Sequence, residues 1–71
     1  MIVLNNIQKF QLFCLESYRV EKNISGKGAL QDFKNNDVFS FLENEYEILH
    51  TQGQKYIIDA IIDLIKTRNY Y

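Results

Sequence analysis

Between Thr51 and Arg68 the chain carries an apolar pattern too wide for an ordinary surface helix. Stepping about 100° per residue, Tyr56, Ile57, Ile58, Ala60, Ile61, Ile62, Leu64 and Ile65 cover roughly 240° of a helical circle. Only Lys55, Asp59, Asp63 and Lys66 fill the remaining strip. A terminal helix of a small monomer needs a stripe of only a little over about 100°. Either this helix is the centre of a bundle, or Ile58 and Ile62 face a second surface. Thr51-Gln52-Gly53-Gln54 reads as a T-x-x-Q capping box, with the Thr51 hydroxyl and the Gln54 amide satisfying two orphan backbone donors. Lys66 and Arg68 complement the negative end of the helix, which the pattern carries to Thr67 or Arg68.

The rest of the chain must build a partner for that helix from few residues. Seventy-one residues make one domain, residues 1–71, with a short polar tail at 67–71. A chain of this size buries only about 60% of its unfolded surface, which leaves no room for an enclosed substrate cavity beside a core. Proline is absent and glycine occurs three times, which suits long helices better than turn-rich sheets.

Three further helices follow from periodicity and caps. Val3, Ile7, Phe10, Cys14 and Tyr18 form one stripe, which predicts a first long helix over residues 3–22. Phe13 and Leu15 widen the stripe and Leu12 falls nearly opposite it. Ser25 is placed to cap a short second helix to Asn35 whose buried face is Ala29, Leu30 and Phe33. Asn35-Asn36-Asp37 combines a stop with a fresh cap at Asp37. The third helix then runs over residues 38–46 and points Val38, Phe41 and Leu42 inward. Ile48 and Leu49 carry the apolar pattern into the connection that follows. The expected fold is an all-α, compact bundle of four helices, long at both ends of the chain and short in the middle.

Charge and composition narrow the function. Eight basic and nine acidic residues give a net charge of −1, which lacks the basic surface of a non-specific nucleic-acid binder. A helix-turn-helix formed by the second and third helices is disfavoured too. The would-be recognition segment contains no Arg or Lys and carries Glu43 and Glu45. The single cysteine cannot close an internal disulfide. Residues 1–6 lack a basic region and a long apolar core, and no run of about 18 apolar residues occurs, so a cytoplasmic protein without a membrane span is expected.

Each chemically suggestive residue has a plainer structural reading. His50 has no second histidine or neighbouring cysteine to complete a zinc site, so it is read as a loop residue. Ser25-Gly26-Lys27-Gly28 opens a helix with small residues and a lysine. No strand precedes it and it is not a P-loop, so capping explains it better than nucleotide binding. Cys14 lies on the apolar stripe without a cationic neighbour, as a structural thiol does. Glu43, Glu45 and Glu47 spread around a helix as a solvated face, with docking of a basic partner as the lesser reading. Tyr70-Tyr71 is expected to fray. No catalytic residue, metal or cofactor is assigned.

Leu49-His50-Thr51-Gln52-Gly53 brings in a resemblance, together with Asn23-Ile24-Ser25-Gly26-Lys27, Ala29, Phe33, Tyr56-Ile57-Ile58-Asp59 and the opening string Phe13-Cys14-Leu15-Glu16-Ser17-Tyr18. From about Phe10 to Lys66 the chain resembles a family of small bacterial proteins known only as a domain of unknown function. Gly28 and the aromatic Phe39-Ser40-Phe41 stretch depart from that family's pattern. The resemblance implies an all-helical intracellular protein whose relatives are often encoded beside proteins resembling ADP-ribosyltransferase toxins. It therefore implies a non-enzymatic interaction module, an antitoxin-like or accessory partner of a neighbouring enzyme. Phe39, Ile58 and Ile62 are the expected anchors, and the partner is the toxin-like enzyme or a second copy of the chain. The alternative is a small DNA-associated regulator whose dimer gathers Lys27, Lys34, Lys55, Lys66 and Arg68 on one face.

Overall fold

The computed structural model describes residues 3–69, so the expectation for Tyr70-Tyr71 lies outside the described residues. Among the described residues five helices follow one another, α1 (Asn6–Lys22), α2 (Gly26–Asn35), α3 (Val38–Asn44), α4 (Tyr46–Leu49) and α5 (Gln54–Asn69). The all-α class holds, and four of these helices have seven residues or more. The predicted third helix is divided at Glu45, and its apolar continuation forms the one-turn α4 with Leu49 buried.

The helix ends explain the boundaries. α1 begins three residues later than its stripe suggests, because Asn5 and Gln8 form a reciprocal capping box. The Gln8 N–H donates to Asn5 Oδ1 at 2.8 Å and the Asn5 N–H donates to Gln8 Oε1 at 3.0 Å. Val3, outside this box, is 83% exposed and contributes nothing to the core. At the other end Asn23 adopts φ 54°, and the N–H groups of Asn23 and Ile24 donate to the carbonyls of Val20 and Arg19. That is a Schellman stop with asparagine in the left-handed position.

Ser25 caps α2 as its position implies, its Oγ accepting from the Gly28 N–H at 3.0 Å. Asp37 occupies the cap position of α3, but with φ 57° its carboxylate makes no hydrogen bond to the helix backbone. It accepts instead from the Ser40 hydroxyl at 3.2 Å. The left-handed backbone turns the side chain away from the orphan donors.

The capping box at Thr51 does not form. The Thr51 hydroxyl donates back to the Ile48 carbonyl at 2.9 Å, which closes the end of α4. The Gln54 amide reaches across to Ser17 Oγ on α1 at 3.0 Å. Two short-range partners are lost to one helix end and one interhelical bond.

Every helix contributes to a single core of Cys14, Tyr18, Ala29, Phe33, Val38, Leu42, Leu49, Ile57, Ile58 and Ile61. Phe33 is fully buried between the rings of Tyr18 and Phe39, each centroid 5.3 Å away. The Tyr18 hydroxyl donates to Asp32 Oδ2 at 2.7 Å, so the one polar atom this ring carries inward is satisfied. Burial and the Asp32 carboxylate both push the Tyr18 phenol above its ordinary range. α1 packs against α2, α3 and α5, α3 packs against all four other helices, and α5 packs against α1 and α3. Two such neighbours account for much of the wide apolar face of α5. Ile57, Ile58 and Ile61 are buried, and Ala60, Ile62, Leu64 and Ile65 are half-buried. Ile58 is therefore a core residue at 5% exposure, covered within the bundle, and does not present itself to a second surface.

Candidate interaction surface

The bond between Gln54 and Ser17 ties the first turn of α5 to the middle of α1. Beside it, the two helices leave an open groove of about 370 Å³, lined by Ser17, Val20, Glu21, Gln54, Lys55, Ile58 and Asp59. Ser17 and Ile58 are buried, whereas Val20 is 63% exposed although its side chain is wholly apolar. Glu21, Lys55 and Asp59 are exposed and supply the charge. The Lys55 ammonium donates to Asp59 Oδ2 at 3.2 Å across one helical turn. Both partners are solvated, so this pair holds neither side chain firmly.

On α1 a second surface pair joins Arg19 to Glu16, Nε donating to Oε1 at 3.0 Å. The hydrogen bond and charge of Arg19 hold the Glu16 carboxyl below its ordinary range. Further large apolar side chains are exposed at Leu12 and Phe13 on α1, Ile48 on α4 and Tyr56 on α5. The exposure of Leu12 follows from its place opposite the α1 stripe. Phe13, read as widening that stripe, lies at its edge at 47% exposure.

Of the expected anchors, Phe39 is half-buried, with its ring edge-on to Phe33 and its carbonyl accepting from Gln11 Nε2 at 2.9 Å. Ile62, one turn after Ile58, is also half-buried. Sequence reasoning missed Val20 and the groove. Val20 is a lone apolar residue in a polar helix end, and its neighbours come from α5 more than 30 positions away.

The chemically suggestive residues take structural places. His50 stacks on the Tyr46 ring at 4.4 Å with an interplanar angle of 10°. Its Nδ1 lies 2.6 Å from the Tyr46 carbonyl oxygen, and Phe10 meets Tyr46 edge-on at 5.4 Å. This stack closes the turn after α4. The Cys14 thiol is fully buried, and desolvation pushes it up to about 12, which suppresses the reactive thiolate. Among the described residues no three His, Cys, Asp or Glu side chains converge where they could hold a metal ion. None of the helices described is long and apolar enough to cross a membrane. The basic residues that a DNA-associated dimer would gather are divided between α2 (Lys27, Lys34) and α5 (Lys55, Lys66, Arg68).

A family model described as "Protein of unknown function (DUF3791)" matches residues 9–68. No curated protein and no solved structure matches the chain.

Proposed function

The chain belongs to the DUF3791 family, and from that premise we propose that it is a non-enzymatic protein-interaction module. It acts in the bacterial cytoplasm as an antitoxin-like or accessory partner of an enzyme encoded beside it, of the kind that resembles ADP-ribosyltransferase toxins. The observation that carries this reading is the groove between α1 and α5. Exposed Val20 is the apolar centre, with the core residue Ile58 closing the groove behind it, and Glu21, Lys55 and Asp59 form a polar rim. Apolar centre and charged rim are the anatomy of a protein interface. Ile62, half-buried one turn after Ile58 on α5, adds apolar area that a partner would cover, and Phe39, half-buried on α3, is a separate candidate anchor.

The mechanism is occlusion. A small bundle braced by one continuous core presents a preorganised surface and loses little conformational freedom on binding. Gentle capture of the tagged chain from its native cells tests the reading. The neighbouring gene's product is expected at near one-to-one stoichiometry, and Val20→Asp is expected to release it while leaving helical content unchanged. Recovery without that product, or an unchanged complex with Val20→Asp, contradicts the reading.

A further inference from the structure

The hydrogen-bonding inventory of the groove says more about what enters it. Gln54 turns its amide nitrogen to Ser17, with one of its two N–H donors engaged there, and its side-chain carbonyl is left to accept. Asp59 engages one carboxylate oxygen with Lys55, and the Glu21 carboxylate takes part in no ion pair among the described residues. The groove thus offers several acceptors on two carboxylates and one amide. Against them stands a single cation in the lining, Lys55, whose side chain is 90% exposed. The apolar part of the lining is Val20, which is exposed, and Ile58, which is almost wholly buried.

We infer that this groove receives an arginine side chain carried on the partner's surface, a refinement that rests on the interaction reading above. The aliphatic stem of an arginine covers exposed Val20, and its planar guanidinium brings five donors to the waiting acceptors. A volume of about 370 Å³ admits one such side chain with room for bridging water. Lysine fits less well, because a compact ammonium forms no bidentate pair with a carboxylate. An anionic group meets two carboxylates for one ammonium and is repelled. Lys55 becomes a competitor: it occupies Asp59 in the free protein and yields when the guanidinium arrives.

The test uses the full chain, isotopically labelled, and four short alanine peptides carrying one central arginine, lysine, citrulline or norleucine. Backbone amide shifts are followed by NMR as each peptide is added up to about 10 mM, a range suited to affinities near millimolar. The arginine peptide is expected to produce saturable shifts at Val20, Glu21, Lys55 and Asp59. Citrulline, isosteric but neutral, and norleucine are expected to produce none, and lysine to bind at least threefold more weakly. Glu21→Gln and Asp59→Asn each weaken the arginine peptide severalfold, whereas Lys55→Gln tightens it. All three side chains are exposed, so the fold survives these changes. Absence of saturable shifts, equal binding of citrulline, or weaker binding in Lys55→Gln overturns the inference. If capture of the neighbouring enzyme still depends on Val20 in that event, the interaction reading stands and only the arginine is lost.

Discussion

Replacing Phe33 by alanine tests whether the aromatic centre holds the bundle together. Phe33 is fully buried, touching α1 through Tyr18 and α3 through Phe39. Truncating such a ring costs about 3–5 kcal/mol, the lost transfer free energy plus the cavity left behind. A domain of this length has a total stability of about 4–11 kcal/mol, so the variant loses a large part of it. Cys14 provides the assay, since it is the only cysteine and is fully buried. A thiol reagent reaches it only when the bundle opens, and a loss of about 3 kcal/mol speeds labelling roughly 150-fold. Urea unfolding followed by circular dichroism measures the same difference at equilibrium. Phe33→Leu, which keeps most of the volume, is expected to cost about 1–1.5 kcal/mol. If Phe33→Ala unfolds within about 1 kcal/mol of the parent and labels at the parent's rate, the ring does not hold the bundle together.

Two other predictions concern the caps and the response to base. Gln54→Ala breaks an interhelical hydrogen bond and is expected to cost about 1 kcal/mol, whereas Thr51→Ala, at an exposed turn, costs less than about 0.5 kcal/mol. Urea midpoints in the reverse order would restore the local capping box. The Cys14 thiol is raised from 9.0 to about 12 on folding, so its contribution to stability is complete below pH 9 and is lost as pH rises towards 12. Tyr18 is raised from 10.0 and adds a loss that begins above pH 10. The urea midpoint is therefore expected to fall steeply above about pH 9, and Cys14→Ala to delay that fall towards pH 10. A midpoint unchanged up to pH 11 contradicts both assignments.

Much of the fold was legible because it depends on periodicity within single helices. The stripe through Cys14 and Tyr18, the inward set Ala29 and Phe33, and the pair Val38 and Leu42 all lie in the core, as their spacing implies. Ser25 was legible as a cap because the competing partners for its hydroxyl are local. The failures have a common physical origin in competition from more distant groups. Thr51 and Gln54 have the composition of a capping box, but the end of α4 claims one and α1 claims the other. Ile58 faces away from the centre of the α5 stripe and is still buried, because α1 and α3 together cover more of that helix than one neighbour would. Asn5-x-x-Gln8 carries the same signature as Thr51-x-x-Gln54 and does form its box, since no other helix competes for those side chains. The groove beside Val20 depends on how α1 and α5 meet, and no window of sequence contains both walls.

Under the proposed function, the bundle covers an enzyme with its α1–α5 surface. The most direct test is to titrate the purified chain into the purified neighbouring enzyme and follow that enzyme's activity. Activity is expected to fall linearly to full inhibition at one chain per enzyme, an effect abolished by Val20→Asp and left intact by His50→Ala. Undiminished activity at excess chain, or equal inhibition by Val20→Asp, contradicts that function.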